Sequence, residues 1–112
     1  MELNLHQQNG VQIYRLRGDL RRGEPVDSLK AALDESIAGG LARIVLNLGD
    51  VNMVDSSGIG VIVRAHTTSK EKGGAIKLVN PSKFTLQTLK IVGLLNILEI
   101  MDDEGTAVES FG

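Results

Sequence analysis

Apolar and polar residues alternate at the start of the chain. Leu3 and Leu5 precede Asn9-Gly10, and Val11, Ile13 and Leu16 follow it, which predicts a hairpin with a tight turn. Gly18-Asp19-Leu20-Arg21-Arg22-Gly23 reads as a loop. The period then lengthens. Val26, Leu29, Leu33 and Ile37 recur at helical spacing, Pro25 suits the first turn, and Gly39-Gly40 marks the stop. Residues 43–48 form a continuous apolar run, as expected of a strand covered on both faces. After a turn over Asp55–Gly60, Ile59, Ile62, Val63 and His66 line one side of a helix ending near Gly73-Gly74, and Ala75–Val79 reads as a strand. Asn80-Pro81-Ser82 opens a further helix in which Phe84, Leu86, Leu89 and Val92 are partly periodic, halted by Gly93. The run Leu94–Met101 ends in a strand around Ile97–Ile100, and a short helix from Asp103 to Phe111 closes the chain. The order β-β-α-β-α-β-α-β-α predicts an α/β fold: a mixed, mostly parallel sheet with an N-terminal β-hairpin and flanking helices.

At 112 residues the chain is read as one domain spanning 1–112, with no repeat, linker or low-complexity tract. Its core must be aliphatic, since it has two Phe, one Tyr and no Trp. The net charge of −2 and the scattered Lys and Arg argue against nucleic acid as a partner, because neutralising phosphates takes clustered cations. Without cysteine, disulfides and thiolate metal sites are excluded, and His6 and His66 lie too far apart in sequence to suggest a metal centre. No metal or cofactor is expected. Neither a basic, apolar leader nor a run approaching ~20 apolar residues is present, so the expected setting is the cytoplasm, away from membranes.

The candidate chemistry lies in Val54-Asp55-Ser56-Ser57-Gly58-Ile59-Gly60-Val61, where a strand hands over to a helix. A helix start has unpaired backbone N–H groups and a partial positive charge, so a phosphate attached to a serine there is compatible with the fold while altering the surface offered to a partner. The plainer role for these residues is capping, which Asp55, Ser56 or Ser57 could each fill. Gly58 and Gly60 are expected to permit close backbone approach. A serine nucleophile is disfavoured because the G-x-S-x-G elbow is missing and neither histidine bears a spacing relation to Ser56. A nucleotide site is disfavoured because G-x-x-x-x-G-K-[ST] is missing.

Ile44-Val45-Leu46-Asn47-Leu48, Val51 and the Val54–Val61 block together resemble the core of STAS domains, and within these the bacterial anti-sigma factor antagonists. Lys72-Gly73-Gly74 before Leu78-Val79-Asn80, and Ile91-Val92-Gly93-Leu94, resemble the family's later blocks, so the likeness spans nearly the whole chain. The resemblance implies a non-catalytic partner switch. In this family the unmodified antagonist binds an anti-sigma factor serine kinase and frees a sigma factor. The kinase phosphorylates the serine after the aspartate, the complex separates, and a metal-dependent serine phosphatase reverses the modification. Carried onto this chain, Ser56 is the acceptor, Asp55 its acidic neighbour and Ser57 the adjacent hydroxyl. The loop before the first helix lies at the family's partner surface, so Asp19, Arg21 and Arg22 join Asp55, Ser56, Ser57 and Gly58 as partner-binding candidates. That loop often reads G-E-[LI]-D in the family, whereas this chain has Gly18-Asp19-Leu20-Arg21, with Arg22 beside it. Arg21 and Arg22 read either as a solvated pair or as recognition of an acidic partner or a phosphate. Arg21 also lends weight to an alternative: a STAS scaffold subunit of a transport or stress-signalling assembly with no phosphorylation cycle. Val92 stands where the family often has Thr, a packing change.

Overall fold

The computed structural model describes residues 1–112. Strands β1 (Glu2–Gln8) and β2 (Val11–Arg17) form the hairpin, joined by Asn9 and Gly10, both at positive φ. Consecutive left-handed residues give a hairpin turn whose twist matches the strands. Helix α1 (Glu24–Ala38), strand β3 (Arg43–Asp50), helix α2 (Ser56–Glu71), strand β4 (Ala75–Val79), helix α3 (Lys83–Ile91), strand β5 (Glu99–Met101) and helix α4 (Glu104–Glu109) follow. The sheet order is β1-β2-β3-β4-β5; β1 and β2 are antiparallel and every other neighbouring pair is parallel. The mixed, mostly parallel α/β architecture is thus the expected one. No helix is long and apolar enough to cross a membrane, and no cluster of three or more His, Asp or Glu is placed to hold a metal.

One face of the sheet carries the main core. Tyr14, Leu16, Ile44, Leu46, Leu48, Ile76 and Leu78 project from the strands against Val26, Leu29, Leu33 and Ile37 of α1 and Ile59, Ile62 and Ala65 of α2. The buried Tyr14 hydroxyl donates to the Ala32 carbonyl and bonds Ser36, tying β2 to α1. Burial raises its pKa above the ordinary value. His66 borders this core. It is buried, and its Nδ1 accepts from the Ile76 N–H at 3.1 Å; burial first, and Lys70 second, lower its pKa and favour the neutral ring.

The opposite face is thinner. Val11, Ile13, Val45 and Val79 meet Ala107 and Val108 of the short α4. Two polar ties hold that helix. Lys77 Nζ donates to Ser110 Oγ at 2.7 Å and lies 4.3 Å from the Phe111 ring centre. Glu104 accepts two bonds from Arg15, each 2.8 Å, and a third from Asn47 Nδ2 at 2.7 Å. These bonds, Arg15 first, hold the Glu104 carboxyl at about 2, down from 4.5. A carboxylate depressed on folding adds stability that is whole above its unfolded pKa and drains away as pH falls through the folded one. The loss therefore runs from about pH 4.5 to about pH 2. The full shift corresponds to about 3 kcal/mol, and solvent around the half-exposed Arg15 brings the expectation to ~1–2 kcal/mol. Urea titrations should show Glu104→Gln weaker than the parent by that amount at neutral pH and level with it near pH 2.

Two expectations fail in the last third of the chain. The strand is Glu99–Met101, not Ile97–Ile100, because Gly93 turns left-handed (φ 77°) and Leu94–Asn96 forms a 3-10 turn that delays it. Helix α3 buries only Thr85 and Leu89, while Phe84 and Val92 are each 55% exposed. It runs along the margin of the core, so only a narrow stripe is covered.

Candidate functional site

The loops after β2, β3 and β4 converge at the C-terminal ends of the parallel strands, the usual place for sites in parallel α/β sheets. They are sewn together by backbone bonds. Gly18 N–H donates to Asp50 O (3.1 Å), Leu20 N–H to Met53 O (2.9 Å) and Asp55 N–H to Leu20 O (3.1 Å), making a parallel bridge between Leu20 and Val54. The Ser82 hydroxyl donates to Asn52 O at 2.9 Å and brings in the third loop.

Asp55 organises this end of the molecule. It is the N-cap of α2: its Oδ1 accepts from the Gly58 N–H at 2.9 Å and from the Ser57 hydroxyl at 2.7 Å, while Oδ2 accepts from the Arg22 N–H at 2.8 Å. Of the three capping candidates the carboxylate wins because it alone offers enough lone pairs for all three donors. These bonds, Ser57 first, depress its pKa from 3.8 to about 2. Asp55 thus stays ionised at neutral pH. Ser57 is a support group for Asp55. Ser56, the first residue of α2, is exposed and enters none of these bonds.

Gly58 is needed for space. A Cβ there would lie 2.9 Å from Val54 Cγ1 and 3.0 Å from Leu20 Cγ, the side chains of the bridge. Gly60 differs: a Cβ there meets nothing within 4 Å of the chain itself, because that side of α2 opens onto a groove. The groove runs from Ser56 past Ile59, Gly60 and Val63 to Val92 and Leu94. Sequence reading missed it; the half-buried Val63 and exposed Val92, surplus apolar residues on two helices, were its only signal.

Of the other candidates, Asp19 and Arg21 pair with each other at 3.2 Å through exposed side chains. Arg22 reaches Asp55 through its backbone and leaves its side chain exposed. The structure therefore gathers Asp19, Arg21, Arg22, Asp55, Ser56 and Ser57 at one end of the molecule, whereas Gly58, expected among the partner-binding residues, is buried beneath them against Leu20 and Val54. Asp55→Ala should release the α2 cap and the Arg22 tether together and cost about 2 kcal/mol, whereas Asp55→Asn, still an acceptor at the cap, should cost less than half of that. Thermal melts of the two variants check the ranking.

The family model described as STAS domain matches residues 2–107. The chain is similar to the anti-sigma F factor antagonist of Paenibacillus polymyxa, at 30% identity over 109 residues that span 96% of this chain and 92% of that one. Its structure is similar to that of the TM1081 protein of Thermotoga maritima, with a TM-score of 0.85 at 26% identity, covering 97% of this chain and 93% of the other. It is also similar to the Bacillus cell fate determinant SpoIIAA in its phosphorylated form, with a TM-score of 0.80 at 24% identity, covering 99% of this chain and 100% of that one. At this identity the second likeness is one of fold.

Proposed function

The chain belongs to the STAS domain family, and from that premise we propose that it is an anti-sigma factor antagonist working by partner switching. Residues 1–112 act as one cytoplasmic STAS domain without catalytic activity of its own. The unphosphorylated chain binds an anti-sigma factor that is also a serine kinase, and a sigma factor is freed. Transfer of phosphate from ATP to Ser56 Oγ ends the binding, and a serine phosphatase restores it. The docking surface comprises Asp55, Ser56 and Ser57 with Asp19, Arg21 and Arg22 of the neighbouring loop, and the buried Gly58 lets the helix start pack close beneath it.

One observation carries this reading. Ser56 is an exposed, unengaged hydroxyl beside Asp55, whose carboxylate is committed to the Ser57 hydroxyl and to the Gly58 and Arg22 N–H groups. A kinase can take that hydroxyl without breaking a bond that the fold depends on. A relative with this fold exists in a phosphorylated form.

Incubation with the cognate anti-sigma kinase and ATP should add a single phosphate, located at Ser56 by peptide mass mapping and lost in Ser56→Ala. No incorporation, or incorporation unaffected by Ser56→Ala, rejects the site. Affinity capture distinguishes the scaffold alternative, which predicts recovery of a transport component and no kinase.

A further inference from the structure

One edge of the sheet is bare. β1 is a seven-residue strand paired only with β2, in unbroken register from Glu2 opposite Arg17 to Gln8 opposite Val11. Six of its residues are exposed. Edge strands in monomeric proteins are commonly protected by Lys, Pro, a bulge or a covering element. β1 has no Lys, Pro or bulge. The other edge, β5, is only three residues long and offers a much shorter ladder.

What sets β1 apart is that it complements itself. Two copies paired antiparallel about a twofold axis at Asn4 place Glu2 opposite His6, Leu3 opposite Leu5 and Asn4 opposite Asn4. Side chains alternate along a strand, so Glu2, Asn4 and His6 share one face and the leucines the other. One face then carries two Glu–His contacts, and the other a cluster of four leucines, two from each copy. In the single chain Leu5 is 49% exposed although it stands across from fully buried Tyr14. It borders a groove shared with Ala32 and Leu41, and Leu41 is itself 39% exposed. No like charges meet at any opposed position.

We propose that β1 is a homodimerisation edge that joins two copies into one continuous sheet. The contact is isologous, as a twofold requires. It involves little more than two strands, which puts it in the small class of interfaces, below about 1,200 Å², where association is weak and concentration-dependent. The twofold stands perpendicular to the sheet and reverses the strand direction. The two Ser56 surfaces therefore face opposite ways, and both stay open. The proposal does not depend on the phosphorylation of Ser56.

Sedimentation velocity of the full chain, from roughly ten micromolar to about one millimolar, tests it. The mean mass should climb from one chain toward two. Leu5→Lys should hold the mass at one chain throughout, with an unchanged far-ultraviolet circular dichroism spectrum. His6→Glu sets carboxylates face to face and should weaken the dimer about tenfold or more; adding Glu2→Lys to it should restore the dimer, because each Lys again faces a Glu. Within one chain the two positions are too far apart along the strand to compensate each other, so recovery reports the contact between copies. A single-chain mass at every concentration overturns the proposal, as does a dimer that Leu5→Lys leaves intact or a double variant that fails to recover.

Discussion

A negative charge placed on Ser56 should lower affinity for the anti-sigma partner at least about 100-fold and leave the fold unchanged. A phosphoserine carries about −1.5 to −2 charges at neutral pH. It would stand next to Asp55, whose carboxyl is held at about 2 and is ionised. Both groups would enter the interface together. A desolvated pair of like charges costs several kcal/mol across a protein contact, and ~3 kcal/mol is already about 100-fold. Nothing comparable acts on the free chain, since Ser56 is exposed and unbonded and the new charge adjoins the positive end of α2. Titration calorimetry of the unmodified chain, the phosphoprotein and Ser56→Asp against the partner measures the effect. Ser56→Ala should bind like the parent. Equal binding by phosphorylated and unmodified chains would end the argument for an electrostatic switch. Chemical shifts that move well beyond residues 18–23 and 53–60 would instead mean that release comes from refolding.

The largest stability effect should come from a residue far from that surface. Gly74 precedes β4, and a Cβ there would lie 2.0 Å from the carbonyl oxygen of Ala42, the acceptor of the Ala75 N–H bond. The obstacle is backbone, held on one side by β3 and on the other by the turn closing α2, where Gly74 N–H donates to Ser69 O. No rotamer change relieves it. Gly74→Ala should therefore cost about 4 kcal/mol or more, a large part of the ~5–15 kcal/mol that holds a domain of this size together, and lower Tm by roughly 15 °C. Gly60→Ala is the internal control. Its Cβ meets nothing and it sits inside α2, so the same substitution should raise stability by about 0.5–1 kcal/mol. Differential scanning calorimetry of the pair checks the opposite signs.

The elements legible in the sequence were those whose side chains report a single environment. Val26, Leu29, Leu33 and Ile37 recur at helical spacing because α1 buries one complete stripe, and all four are buried. The continuous run at 44–46 is buried because β3 is central and covered on both faces. Legibility fell where an element is only half used. Along α3 the sequence offers Phe84, Leu86, Leu89 and Val92, yet the core takes Leu89 and Thr85, the latter a residue whose hydroxyl disguises a buried position. Asp55 and Ser56 were recognisable as a pair, while their division of labour was not, because it depends on Arg22, which lies 33 positions earlier in the chain. The lock of Arg15 and Asn47 on Glu104 left no local trace, for the same reason of sequence distance. The groove beside Ser56 needs two helices to exist and is invisible in either alone.

The stitch between Leu20 and Val54 has a thermodynamic corollary. Loops that must be ordered by a ligand subtract that ordering entropy from affinity, whereas these were ordered when the chain folded. A partner docking on this surface, as proposed, would meet a preformed relief. A phosphoester at Ser56 would then be read without a conformational lag between the chemical mark and its meaning.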